Sequence, residues 1–312
     1  MDTLDRLILG ELAIQCRVSF SKLAEKFNVS LNTIKNRVEG LVKEGVINRF
    51  VVQLPLEVLQ ADFAVLLLDI EPDTRKEDLI NLGTHPSIMA MGLGYELSGF
   101  AVAVYRTNAE LSQVVDYLQA SDIIKGVHAL PMVGPPAPID RSLAKGLDAL
   151  KKIDWKIIRS LQWDGRKALG EIAKDVGASV PTVRKRLDFM REHNLIAETI
   201  EINPAASDHD LIVMLRVSNP IITQRELFEI DLMFREQWPK EYWLNYRLAD
   251  RPEIMATFVV DSAKRVAELR SEMTDLLDGS DILEQVIVPE WLFFSDFRAQ
   301  IVNDRAGEKF RP

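Results

Sequence analysis

Residues 4–47 and 153–196 of this 312-residue chain align without a gap at a constant offset of 149. Self-similarity at a fixed spacing constrains the fold more than any composition does, because like sequences bury like faces. Nine positions are identical, among them Asp5/Asp154, Arg17/Arg166, Ser30/Ser179, Thr33/Thr182 and Arg37/Arg186. The apolar residues at 4, 9, 23, 29, 34, 38, 41 and 46 have apolar partners as well. Each copy is followed by a larger unit of a second kind. Between them lies PMVGPPAP at 131–138, with four of the fourteen prolines. Proline fixes φ and removes an amide donor, so this stretch is expected to be an extended connector, neither helix nor central strand. The expected division is 1–52, 53–131, a linker at 132–140, 141–203, 204–300, and a charged tail at 301–312.

The formal charge of −9 argues at first against a polyanionic partner. Divided along the repeat it reads otherwise. Residues 1–52 carry +2 and 141–200 carry +5, whereas 53–139 carry −7 and 201–312 carry −8. Both small units are basic and both large ones acidic, an asymmetry that points to nucleic acid at the small units. A hydrophobic content of 47% suffices for several cores. The first residues, MDTLDRLILGEL, mix acids with apolar residues and lack the pattern of a signal peptide. Apolar runs such as AVLLL at 64–68 fall far short of the roughly 18–20 residues a membrane span needs. The single cysteine, Cys16, rules out an intramolecular disulfide, fits a reducing cytoplasm, and is expected as an inert loop thiol.

Within the first small unit Leu4, Leu7, Ile8 and Leu12 recur at helical spacing, predicting a helix over 3–14. Ser19 can cap a second helix that ends near Asn28, a residue type tolerant of the left-handed turn. Ser30 can cap a third, whose buried stripe is Ile34, Val38 and Leu41. The second unit repeats this with Gly177 at the turn, Ser179 at the cap, Pro181 in the first turn, and Val183, Leu187 and Met190 as the stripe. Three short helices with a tight turn before the last make a helix-turn-helix, and the β-rich segments VINRFVVQL and LIAETIEIN could supply wings. Opposite the stripe lie Asn32, Thr33 and Asn36 with Lys35 beside them, and in the second copy Thr182 and Lys185 with Arg184 beside them. Amide, hydroxyl and basic groups near a helix N-terminus suit base edges and phosphates of double-stranded DNA. The candidate DNA contacts are therefore Ser30, Asn32, Thr33, Lys35, Asn36, Arg37, Ser179, Thr182, Arg184, Lys185 and Arg186. Arg37 and Arg186 lie nearer the apolar stripe and could instead pair with Asp5 and Asp154.

The larger units alternate strand and helix. Strands are predicted at 61–70, 87–96, 99–106 and 123–131 with helices at 74–84 and 108–120. The second copy repeats this with strands at 210–218, 242–249, 253–260 and 282–292 and helices at 223–237 and 262–277. The order β-α-β-β-α-β is ferredoxin-like, and the open sheet face must be covered, by pairing of the copies either within the chain or between chains. The fold class expected is α+β, a duplicated module of winged helix-turn-helix plus ferredoxin-like domain.

LDRLILGEL, SFSKLAEKFNVSLNTIKNRVEGLVKEGVI and the strand pattern from Ala61 to Pro131 together resemble the leucine-responsive regulatory protein/AsnC (Lrp/AsnC) family of transcription regulators, here in a tandem form. The resemblance spans nearly the whole chain, twice. It implies DNA binding by the small units, and assembly through the larger ones into a homodimer or higher oligomer. It also implies an amino acid or other small effector near Gly92, Gly94, Tyr95 and Glu96. The usual glycine-then-aspartate pattern of the family is absent there, and the second copy reads LNYRLADRP. The siroheme decarboxylases share this two-part architecture and make the enzymatic alternative. MAMGLGYELSGF carries neither their histidine nor their arginine, leaving Arg247 and Arg251 as the candidates for such chemistry. No cofactor, metal or catalytic residue is expected: the four histidines lack ligand spacing, and GLG at 92–94 opens no helix. The aromatics from Trp238 to Phe294 are expected in a core or interface.

Overall fold

The computed structural model describes residues 1–95, 98–133, 146–203, 206, 211–219, 224–289 and 291–307. The first copy runs α1 (Thr3–Ile14), α2 (Phe20–Lys26), α3 (Leu31–Lys43), β1 (Ile47–Gln53), β2 (Asp62–Ile70), α4 (Lys76–Leu82), β3 (Ile88–Leu93), β4 (Ser98–Tyr105), α5 (Asn108–Gln119) and β5 (Ile124–Val133). The second runs α6 (Lys152–Leu161), α7 (Leu169–Val176), α8 (Val180–Glu192), β6 (Ala197–Ile202), β7 (Leu211–Ser218), α9 (Gln224–Gln237), β8 (Tyr242–Leu248), β9 (Glu253–Val260), α10 (Ala263–Leu276), β10 (Asp281–Val288), β11 (Leu292–Phe293) and α11 (Phe297–Ala306). These sort into two compact units that do not follow the sequence halves. Residues 1–61, 139–202 and 295–312 make one, and 62–138 with 203–294 make the other.

The first unit holds both helix-turn-helix copies. Their β segments do not fold back as separate wings. Each is a single strand, and β1 pairs antiparallel with β6, so one two-stranded ribbon is shared. Ile47 faces Ile202 and Gln53 faces Ala197. Because 202 and 197 are the repeat equivalents of 53 and 48, the ribbon is nearly self-complementary, and the two helical triplets are related by an approximate two-fold axis through it. The core around the second triplet gathers Trp155, Ile158, Leu161, Val183 and Leu187 with Val58 and Leu59 from the segment after β1.

In the second unit the two ferredoxin-like copies pair within the chain. In β2, Ala64, Leu66, Leu68 and Ile70 face the α4/α5 side, while Val65 and Leu67 face the other copy. A strand buried on both faces needs no polar alternation, which explains the unbroken AVLLL run. The shared core between the sheets contains Phe100, Leu130, Met132, Ile212, Met214, Leu248 and Met255. Each copy also sends its last strand across to the other. Met132 and Val133 of β5 pair with Leu248 and Arg247 of β8, and Leu292 and Phe293 of β11 pair with Met91 and Ala90 of β3. The aromatics divide as core and interface: Phe234, Trp238, Tyr242 and Phe258 cluster under the second sheet, while Phe63–Tyr246 (4.8 Å) and Phe100–Trp291 (5.3 Å) join the copies.

Two expectations are corrected. The connector does not begin at the proline stretch or at 132: Met132 and Val133 belong to β5, and Pro131 lies inside it opposite Ala64, where only its carbonyl is needed and Ala249 donates to it at 2.9 Å. The rest of the proline stretch, 134–138, lies outside the described residues. The segment from 301 is not a charged tail: α11 runs through Ala306, capped by Asp296 and by Gly307 at φ 86°. Phe297, Ile301, Val302 and Ala306 recur at helical spacing and pack into the core of the second helix-turn-helix. Cys16 lies in the turn between α1 and α2, as expected of a loop thiol, and is fully buried where the two helical triplets meet.

Candidate nucleic-acid interface

Helices α3 and α8 owe their placement to local sequence. Ser30 Oγ accepts from the Thr33 amide at 3.0 Å, and Ser179 Oγ accepts from the Thr182 amide at 3.3 Å. In both caps the serine and threonine hydroxyls are 2.8 Å apart. The preceding turns use Asn28 at φ 52° and Gly177 at φ 67°, the left-handed conformation those residue types tolerate. Ile34, Val38 and Leu41, and likewise Val183, Leu187 and Met190, are buried. That fixes the roll of each helix. Asn32, Lys35 and Asn36 on α3, and Thr182, Arg184 and Lys185 on α8, are consequently exposed, with Thr33 half-buried. Among the described residues Lys35, Arg184 and Lys185 make no hydrogen bond or ion pair, so their charges face solvent uncompensated.

Arg37 and Arg186 are differently employed, taking the alternative of internal pairing with Asp5 and Asp154. Arg186 forms a forked pair with Asp154, Nε to Oδ1 at 2.6 Å and Nη2 to Oδ2 at 2.5 Å, and Asp154 is completely buried. Arg37 Nη1 reaches Asp2 at 2.6 Å and both Asp5 oxygens at 3.3 Å, in a more open setting. These hydrogen bonds and charges hold the Arg186 and Arg37 guanidinium groups still further above their ordinary range. Burial works to raise the Asp2 carboxyl, but the Asp5 amide and Arg37 together hold it below the usual carboxylate value. Both arginines thus tie the last helix of a triplet to the first, orienting the exposed face without belonging to it.

The seam between triplets is built from reciprocal bonds. Arg17 Nη1 donates to the Gly165 carbonyl at 2.6 Å, and Arg166 Nη1 donates to the Cys16 carbonyl at 2.6 Å and to that of Val18 at 3.2 Å. The Cys16 amide donates to Glu198 O and the Gly165 amide to Phe50 O, so each triplet's turn is tied to the other copy's strand. Arg166 also lies 4.2 Å over the Phe20 ring. A Cβ on Gly165 would sit 2.9 Å from Cys16 Sγ and 2.9 Å from the Val51 amide nitrogen, so only glycine fits. Burial, with Glu198 nearby, pushes the Cys16 thiol up to about 12. Arg17 and Arg166 were not among the candidate residues, although their identity across the repeat was the available signal.

The effector candidates lie in the other unit. Gly92 is in β3, and Gly94 and Tyr95 follow it. The Tyr95 amide donates to the Ile287 carbonyl at 2.9 Å, so this turn sits where the ferredoxin-like copies meet. A side chain at Gly94 would collide with Ser98 Oγ (2.8 Å) and approach Ile287 O (3.0 Å), a packing reason for the glycine. Glu96 lies outside the described residues. Arg251 is engaged by its neighbour Asp250 through Nε at 3.0 Å and Nη2 at 2.6 Å. Among the described residues no cluster of histidine, cysteine or carboxylate groups could hold a metal, and no helix is long and apolar enough to cross a membrane.

Comparison with known proteins agrees with this geometry. Residues 1–42 match the AsnC-type helix-turn-helix domain, and 150–197 match the winged helix-turn-helix DNA-binding family. An uncharacterised HTH-type transcriptional regulator of Pyrococcus horikoshii is 33% identical over 94 residues, 30% of this chain and 60% of that protein. Another, from Pyrococcus furiosus, is 39% identical over 67 residues, 22% of this chain and 45% of that protein. The chain thus spans about half the length of these relatives. The crystal structure of the siroheme decarboxylase NirDL superposes with a TM-score of 0.57 over 97% of this chain and 98% of that one, at 12% identity, a likeness of fold alone.

Proposed function

We propose that the chain, which is similar to the Lrp/AsnC family in a tandem form, is a sequence-specific DNA-binding regulator of transcription. Its two non-identical readers, α3 and α8, would enter the major groove at two half-sites. The observation that carries this reading is the pair of capped helices whose exposed faces hold Lys35 and Asn36, and Arg184 and Lys185, presented by one two-fold-related head. Half-sites served by such a head lie about one helical turn apart, roughly 10 base pairs. The acidic larger units would keep the rest of the molecule off the phosphates, in keeping with their −7 and −8. A cytoplasmic location and larger assemblies of such internally paired chains belong to the same reading. So does modulation by a small metabolite near Gly92, Gly94 and Tyr95, which is supported by the position of that turn between the copies.

A mobility-shift titration against genomic fragments at graded salt tests the proposal. The expected result is sequence discrimination together with affinity that falls steeply as salt rises. Binding insensitive to both would overturn it. The enzymatic alternative draws only on the fold shared with the siroheme decarboxylase, and the engagement of Arg251 by Asp250 counts against it. Mixing the protein with siroheme and following the absorbance spectrum separates the two readings.

A further inference from the structure

The two readers are equivalent in backbone but not in chemistry, and the differences fall on the exposed face. At the repeat offset of 149, Lys35 corresponds to Arg184, Thr33 to Thr182, and Glu39 to Asp188, so each of these pairs keeps its character. In the first two turns two pairs change: Asn36 corresponds to Lys185, and Asn32 to Pro181. All four of these residues are exposed, and among the described residues none has a hydrogen-bond or charge partner. Neither difference is explained by packing, because the buried stripes beneath them match position for position.

From this divergence, and resting on the DNA-binding reading above, we infer that the two readers select different bases: Asn36, with Asn32 one turn before it, takes adenine, and Lys185 takes guanine. A carboxamide both donates and accepts, which matches the adenine N6 amino group and N7 of the major groove. An ammonium only donates, which matches the O6 and N7 acceptors of guanine. Lys35 and Arg184, basic in both copies, serve the phosphates and carry no base preference. The operator is accordingly a composite, with an adenine-bearing half-site under α3 and a guanine-bearing half-site under α8. A homodimer of single-unit chains cannot make this distinction, since its readers are identical; this chain holds unlike readers at fixed separation through the β1–β6 ribbon.

The test uses the full-length chain and a pool of random duplexes, selected by rounds of binding and sequenced. The expected outcome is enrichment of an asymmetric site, adenine in one half and guanine in the other, with replacement of either base lowering affinity roughly tenfold. The exchange variant Asn36→Lys with Lys185→Asn keeps the net charge and changes only exposed positions. It is expected to swap the preferred bases between half-sites while leaving the salt dependence unchanged. A selected site that is a perfect palindrome, or one whose preferences survive the exchange, overturns this inference and leaves the regulator reading standing. Failure to enrich any sequence overturns both.

Discussion

Replacing Arg186 and Arg37 separately by alanine distinguishes a structural arginine from a DNA-contacting one, because the two occupy equivalent positions in different surroundings. Loss of Arg186 leaves the Asp154 carboxylate fully buried, with the Lys151 amide still donating to it at 2.7 Å. An orphaned buried charge costs about 3–5 kcal/mol, and that surviving bond puts the expectation near the lower end, about 3 kcal/mol. At roughly 2–4 °C per kcal/mol for a domain of this size, the helix-turn-helix unit should melt about 6–12 °C lower. In the Arg37 set, the side chains of Arg37, Asp2 and Asp5 are 41%, 48% and 11% exposed, so water takes over and Arg37→Ala should cost less than about 1 kcal/mol. Differential scanning calorimetry reads both, and Arg186→Ala with Asp154→Asn, which leaves no buried charge, should recover part of the loss. Below the melting range Arg186→Ala should keep the salt dependence of DNA binding. Were Arg186 instead a phosphate contact, its removal would leave the melting temperature in place and lower the salt slope by about 0.9. That pair of results would refute the reasoning.

Alanine at Lys35 or Arg184 should do the opposite, leaving melting unchanged and lowering the salt slope of DNA binding by about 0.9 each, as read by titration at graded salt. Deleting residues 297–312 should lower the melting temperature of the helix-turn-helix unit, because it uncovers the core that Val302 and Ala306 help close. A truncated chain that melts with the parent would show α11 to be dispensable. Cys16 should resist alkylation at pH 8 in the folded chain and react once urea unfolds it, since its thiol stays neutral up to about 12. The sign of the linked stability follows. A thiol that is neutral when folded and ionises near 8.5–9 when unfolded favours folding fully below that range, and the contribution is lost as pH climbs towards 12. Equilibrium unfolding of the parent and of Cys16→Ala across pH 8–11 should therefore show a steeper decline in the parent.

How legible the fold was depended on whether a pattern was local. The third helix of each triplet could be read from Ser30 or Ser179 and its apolar stripe, and the exposed face followed from the same periodicity. The β-α-β-β-α-β order was legible because strand and helix periods differ. Pairings distant in sequence were not. Nothing near residue 47 says that its strand partner is residue 202, nor near Met132 that it meets Leu248. Pro131 misled because proline usually marks a connector, whereas here only its acceptor was required. Residues 297–306 misled because Arg298, Asp304 and Arg305 mask a helix whose apolar side is visible only when Phe297, Ile301 and Val302 are projected together. Arg37 and Arg186 were ambiguous for a physical reason: an arginine at the edge of a buried stripe can turn either way, and its partner's burial decides.

The internal pairing explains why equivalent positions could diverge. In a homodimer any residue near the axis meets itself, so a substitution must be tolerated twice. In this chain the copies meet each other, and a bulky group on one side can be matched by a small one on the other. Cys16 and Gly165 show this directly: equivalent in the repeat, they pack together, one filling the space the other leaves. Leu67 and Arg216, equivalent positions in the other unit, have also diverged. Leu67 lies in the shared core, and its equivalent Arg216 is ion-paired with Glu284 at 3.2 Å and lies 3.8 Å from Glu253. Asn36 and Lys185 extend it to the exposed face, where packing imposes no limit at all. Arg17 and Arg166, by contrast, make the same carbonyl contact from opposite sides and remain identical. Residues that hold the two-fold frame are therefore kept, and residues that the frame merely carries are free to differ. A fused pair of this kind gains what a symmetric dimer lacks, two unlike exposed helix faces at a fixed separation, without losing the strand ribbon that sets the separation.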